Sequence, residues 1–336
     1  MRKIFLILCY VSLFCSCIRD SEIVYTNTPI GNFEALWTII DQKYCFVEEK
    51  GVDWDAIHEE YKFYVDTLQN NDYRGLFNTL ADMLNCLKDG HVNLYSQFDV
   101  SRTTAWYDGY PENFDSELLD LYLGKDYKRA GGLSYNIIPN LVDSIGYIRY
   151  SSFSNGFSTM NMYYILDYFS PCKGIILDVR SNGGGSLEYS YALASTFMEE
   201  TTHIGYWRHK TGPGHQDLSD WEELYVNEKD MPVKWHKPVI VLTNRQCYSA
   251  TNMFVNCMQH APRCCIMGGK TGGGGGMPLS YELPNGWMVR FSSVKLYNTD
   301  KQCIEEGIEP DVVVTLVSKD KDDIIEEAIQ KIKVYD

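Results

Sequence analysis

Two glycine-rich loops and one serine are the residues whose types and spacing could carry chemistry in this chain. An apolar run at 174–179 leads into Asp178-Val179-Arg180-Ser181-Asn182-Gly183-Gly184-Gly185. Three consecutive glycines permit positive φ and close backbone approach, so their N–H groups can face a developing negative charge; a tight strand-to-helix turn is the plainer use. A second apolar run, 239–243, leads through Asn244-Arg245-Gln246-Cys247-Tyr248 to Ser249-Ala250-Thr251-Asn252 at the start of an apolar helix. A serine there is either an N-cap or a nucleophile in the positive field of the helix, with the small Ala250 leaving room for substrate. The run 268–276 contains Gly-Lys-Thr, but a phosphate-binding loop needs a glycine five residues before Gly269, and Cys264 stands there.

These residues need elements to hold them. Residues 145–150, 174–179 and 238–243 read as buried strands, and 187–198 and 250–260 as helices following two of them, an α/β pattern. Upstream, Phe33, Leu36, Trp37, Ile40 and Tyr44 share one helical face. Leu76, Phe77, Leu80, Met83, Leu84 and Leu87 share another. Residues 97–134, rich in Asp and Tyr, have no clear period, and Ile324, Ile325, Ala328, Ile329 and Ile332 mark a closing helix.

In chain order, Asp178-x-Arg180-x-Asn182-Gly-Gly-Gly, Ser249-Ala250-Thr251, Gly268-x-x-Thr271-x-Gly273 and Glu306-Gly307-Ile308-x-Pro310-Asp311 resemble the C-terminal processing (tail-specific) peptidase family, which includes the tricorn core protease. The resemblance spans 145–314. It implies a crotonase-like α/β spiral core with an N-terminal helical domain, Ser249 as nucleophile, and an oxyanion hole from Ala250 and Gly184, with Gly185 the register alternative. Many members use a serine–lysine dyad, but aligning on Thr271-Gly272-Gly273 puts Gly274 where the lysine belongs, and Lys270 is out of register.

Leu87-Lys88-Asp89-Gly90-His91 is similar instead to the Leu-x-Asp-Gly-His signature of the histidine-bearing branch, implying His91 as general base. An unperturbed imidazole titrates near neutral pH, which suits that work. This branch also places a serine beside the histidine, where this chain has Gly90, and a glutamate near the chain end as orienter. Glu305 is the choice, with Glu306 its alternative. Asn252, where many relatives carry glutamate, is expected to serve helix packing.

The 336 residues, 45% hydrophobic and 14% aromatic, suit about two folded domains. A net charge of −15 repels phosphate backbones and excludes nucleic acid as a partner. Arg2 and Lys3 precede an apolar stretch at 4–14, too short to span a bilayer and typical of an export signal. Phe14-Cys15-Ser16-Cys17 then looks like a bacterial lipobox with Cys17 as the lipidated residue, despite the imperfect Cys15. The eight later cysteines are irregularly spaced and read mostly as small buried hydrophobes, and no zinc-ligand spacing occurs.

The expected organisation is a signal peptide at 1–16, a tether at 17–31, a helical domain at 32–95, a linker or lid at 96–134 and a crotonase-like peptidase domain at 135–336. The expected protein is an exported serine endopeptidase of the cell envelope acting on extended polypeptides or C-terminal tails. It meets the membrane through its N-terminal lipid only and uses no metal or organic cofactor. The alternative is a catalytically silent peptide- or ligand-binding protein on the same fold.

Overall fold

The computed structural model describes residues 24–139 and 141–335; the expected export signal and the expected lipidation site at Cys17 lie outside them. Three capped helices come first among the described residues: α1 (Pro29–Lys43), α2 (Trp54–Val65) and α3 (Tyr73–Asn85). The side chains of Thr28, Asp53 and Asp72 each accept from a main-chain N–H of the first turn, satisfying donors that the helix leaves free. The apolar faces expected around Phe33 and Leu80 are buried, and they pack on Leu283, Trp287, Val289 and Phe291 from late in the chain.

Next come β1 (Asn93–Tyr95), α4 (Leu119–Leu123), β2 (Lys128–Ala130), β3 (Leu133–Ile137), β4 (Gly146–Tyr150), α5 (Thr159–Tyr168), β5 (Ile175–Asp178) and α6 (Leu187–Ser195). The chain continues through β6 (Thr202–His209), β7 (Glu222–Val226), β8 (Val239–Thr243), α7 (Ala250–Met258), β9 (Cys264–Gly268), β10 (Gly276–Glu282), β11 (Met288–Tyr297), β12 (Val312–Val313) and α8 (Asp323–Lys333). The fold is mixed α/β.

One sheet has seven strands in the order β12-β9-β8-β5-β4-β3-β2, parallel from β12 to β4 and antiparallel beyond. Its central strands β4, β5 and β8 are buried along their whole length, as their unbroken apolar runs require. α8 covers one face with the isoleucine stripe at 324–332, while α6 and α7 pack in the core on the other side. The second sheet is antiparallel, β1-β11-β6-β7 with β10 also on β11. In both sheets the site residues sit at strand ends or on β11. No helix among the described residues is long and apolar enough to cross a membrane.

Candidate active site

The turn from β8 into α7 holds Ser249 at φ 58° and ψ −120°, a conformation that costs a non-glycine residue energy. Its hydroxyl does not cap α7. It lies 3.0 Å from Nε2 of His91, a residue 158 positions earlier in the chain. The N–H of Ser249 is tied to Gly273 O, and the N–H of Thr251 to Tyr248 O. The N–H of Ala250 has no acceptor among the described residues.

His91 follows the turn after α3 and is 3% exposed. Its main-chain N–H donates to Asp89 Oδ1 at 2.7 Å, and that oxygen also accepts from the Tyr248 hydroxyl at 3.0 Å. Asp89 Oδ2 accepts from the Tyr44 hydroxyl at 2.6 Å. Burial raises the Asp89 pKa, but the Lys50 and His91 charges and these hydrogen bonds outweigh it and hold the carboxyl below its ordinary value. For His91, burial dominates: against the pull of Asp89, and helped by the Arg290 and Lys50 charges, it pushes the imidazole down to about 4. The ring is therefore neutral at neutral pH, the form able to accept a proton.

The acidic orienter departs from expectation. Glu305 is buried, but no hydrogen bond joins it to His91 among the described residues. Its Oε1 accepts from Lys50 Nζ at 2.8 Å, and its Oε2 has no partner among the described residues. Burial and the Asp89 charge raise the Glu305 carboxyl to about 8 against the pull of Lys50. Glu306 is largely exposed, with Oε1 3.3 Å from Lys50. The group facing His91 Nδ1 is the Ser292 hydroxyl, at 3.5 Å. A serine does stand beside the histidine, then, supplied in space by β11 rather than by position 90. With Nδ1 protonated toward Ser292, Nε2 turns its lone pair to Ser249. Neither Ser292 nor Lys50 carried a local sequence signal, because each reaches the site through contacts far apart in the chain.

The glycine loop after β5 comes against Ser249. A Cβ on Gly184, at φ +100°, would lie 2.9 Å from both Ser249 Cβ and Ala250 N, so only glycine fits. The N–H of Gly184, the expected oxyanion donor, is occupied by Asn182 Oδ1 at 3.0 Å. The N–H of Gly185 has no acceptor among the described residues, and Gly185 lines the cleft of about 310 Å³ that contains Ser249 and Ala250. Of the two glycine N–H groups, that of Gly185, the register alternative, is the one without an acceptor among the described residues.

Position 274, where the expected alignment would put a lysine, has little room for a side chain. Gly274 has φ +72°, and a Cβ there would meet the Tyr248 ring at 2.6 Å. Lys270 instead pairs with Glu309 at 3.0 Å. Asn252 joins α7 to its surroundings, donating to Ile304 O at 3.0 Å and accepting from Thr271 Oγ1 at 2.5 Å. Segment 96–134 contributes Trp106, whose ring centroid lies 4.2 Å from that of Tyr248.

Comparison with known proteins identifies relatives of the chain. Residues 144–314, just over half of the chain, match peptidase family S41, and residues 27–85 match the tricorn protease C1 domain. A crystal structure from Parabacteroides merdae ATCC 43184, assigned to the peptidases, is 47% identical with a TM-score of 0.84, over 91% of this chain and 96% of that one. The carboxy-terminal processing protease CtpA of Bacillus subtilis is 28% identical over 145 residues, 43% of this chain and 29% of that protein. The photosystem II D1 C-terminal processing protease shares the fold, with a TM-score of 0.54 at 15% identity over 87% of this chain and 94% of that one. The class is that of the serine peptidases. Within it, the chain belongs to peptidase family S41. Its match spans little more than a quarter of the length of the curated relatives.

Proposed function

We propose that the chain hydrolyses peptide bonds in extended polypeptides or C-terminal tails, with Ser249 as nucleophile and His91 as general base. The observation that carries this reading is the 3.0 Å contact between Ser249 Oγ and a buried, neutral His91 Nε2. Ser249 Oγ attacks the scissile carbonyl carbon while Nε2 takes its proton. The tetrahedral oxyanion is met by the Ala250 N–H and a glycine N–H: Gly185 in the described arrangement, or Gly184 once it leaves Asn182. His91 returns the proton to the departing amine, and water, activated by the same nitrogen, cleaves the acyl-enzyme ester. Glu305 acts through Lys50 on the charge around Asp89 rather than by bonding His91. Every group this acyl transfer needs comes from the chain, so the reading calls for no cofactor.

The same reading takes residues 135–336 as a crotonase-like spiral, 32–95 as a helical domain and 96–134 as a linker or lid. Export and a lipid on Cys17 would hold the body at a membrane surface of the cell envelope. The tail preference draws on the C-terminal processing relatives. The test is hydrolysis of an unfolded protein, with fluorophosphonate labelling, by residues 18–336 and by Ser249→Ala and His91→Ala variants. Activity and labelling lost in both folded variants are expected; hydrolysis that survives Ser249→Ala would sink the mechanism.

A further inference from the structure

The cleft beside Ser249 holds one charged side chain among the described residues that line it, Arg290. β11 sets its place. Side chains alternate along a strand, so Arg290 shares a face with Ser292, which meets His91; Leu296, beyond the irregularity in the β10–β11 pairing, also lines the cleft. On the neighbouring strand Arg290 is opposite Asn93, two residues beyond His91.

Among the described arginines that are not exposed, the others are satisfied. Arg180 is bonded to Asp178 and Asp322, and Arg245 donates to the carbonyls of Trp106, Thr271 and Glu306. Arg290 is different. Its guanidinium donates one hydrogen bond among the described residues, to the neutral Asn93 Oδ1 at 3.3 Å, and pairs with no carboxylate among them. In a chain of net charge −15, rich in carboxylates, a half-buried guanidinium left without one beside the candidate nucleophile points to an anion that arrives with the substrate. The rest of the cleft wall is apolar, from Leu187, Met277, Pro278 and Leu296. We infer that Arg290 is a specificity-determining residue that pairs with a substrate carboxylate near the scissile bond, while the apolar wall takes a neighbouring aliphatic or aromatic side chain. The inference rests on the proposed peptidase activity. The carboxylate is either an acidic side chain or the α-carboxylate of a chain end; the guanidinium fork serves both.

The test measures kcat/KM on matched peptides, Glu against Gln beside the cleaved bond in one arm and C-terminal acid against amide in the other, with the wild type, Arg290→Gln and Arg290→Lys. The wild type is expected to prefer the carboxylate partner by about tenfold or more in at least one arm, and that arm identifies the source. Arg290→Gln is expected to abolish the preference, leave cleavage of the neutral peptides within about threefold, and keep fluorophosphonate labelling of Ser249. Arg290→Lys keeps the charge without the fork and is expected to fall between them. Should Arg290→Gln not fold, the wild-type preference must still shrink with added salt, as an ion pair at an open cleft does. Equal cleavage in both arms, or a preference that survives Arg290→Gln, overturns the inference and leaves the peptidase reading standing. A wild type that labels at Ser249 but cleaves no peptide overturns both.

Discussion

Asp89 and Tyr248 are 159 residues apart in the chain and joined by a single 3.0 Å hydrogen bond. The bond matters because each residue is a close chain neighbour of a group that the proposed reaction uses: Tyr248 leads directly into Ser249, and Asp89 holds the main-chain N–H of His91 with the same oxygen. One carboxylate thus sets the spacing of two reacting groups contributed by different parts of the fold. Asp89 touches neither reacting atom, so it is a positioning residue. In Asp89→Asn one amide oxygen replaces two charged acceptors, and three donors lose their shared anchor. kcat is expected to fall about ten- to a hundredfold with KM little changed, because misplacing reacting groups costs the chemical step. Tyr248→Phe removes one of the three bonds and should cost less. Steady-state kinetics of the two variants checks the order, and a larger loss in Tyr248→Phe would contradict it.

The pH profile follows from His91. An imidazole held at about 4 is neutral across the neutral range, so kcat/KM should stay level from pH 7 to about 5 and fall only as the ring protonates. An ordinary histidine would give a limb near its usual 6.5. Arg290→Gln removes a positive charge that lowers this pKa, so the limb should move upward in that variant. Stability follows the same linkage: the folded pKa is depressed, so the unfolded chain binds the extra proton, and the contribution present above pH 6.5 is lost as pH falls toward 4. Urea midpoints at about pH 7, 5.5 and 4.5, read as the difference between wild type and His91→Ala so that other groups cancel, measure it.

Some of this arrangement was legible in residue order, and the limits have physical reasons. β4, β5 and β8 are continuous apolar runs because both sheet faces are covered, and the helical faces at Phe33 and Leu80 follow the 3.6-residue period. The antiparallel sheet was not legible: β6 is mostly half-buried and β7 mostly exposed, with no clean alternation, and β11 finds partners near residues 93, 206 and 280. Ser249 and His91 each stand in a motif, and the structure brings the two side chains together. Ser292 stands in none, and nothing near it in sequence tells that His91 lies opposite. Residues 97–134 lack a period because side chain to main chain bonds hold them, such as Asn244 Nδ2 to Glu112 O and Arg245 Nε to Trp106 O.

Glu305 offers a test that separates direct from indirect action on His91. Its carboxyl is raised to about 8 by burial and Asp89, so the folded protein binds a proton that the unfolded chain has lost. That contribution is complete below the ordinary glutamate value of 4.5 and disappears as pH rises through 8. Glu305→Gln fixes the neutral form, so its melting temperature relative to wild type should rise between about pH 5 and 8. Its acid limb in kcat/KM should stay where it is, because Glu305 does not bond His91. Glu305→Ala also removes the acceptor that Lys50 donates to and should cost about 1–3 kcal/mol. A limb displaced by a full pH unit in Glu305→Gln would make Glu305 a direct partner of the imidazole.

Gly274 tests whether the site can be converted to a lysine base. Two barriers stand at this position: φ of +72°, which side chains rarely adopt, and a Tyr248 ring 2.6 Å from where a Cβ would lie. The ring cannot yield freely, since Tyr248 is bonded to Asp89 and packed against both Trp106 and His91. Gly274→Ala alone should therefore lower stability by about 1–3 kcal/mol and push Tyr248 against the His91 ring, reducing activity with it. Gly274→Lys in a His91→Ala background should restore no hydrolysis. Thermal melts of Gly274→Ala and turnover by the double variant are the measurements. Recovered turnover would mean that the Tyr248 ring moves aside and that the histidine is not what the fold around position 274 requires.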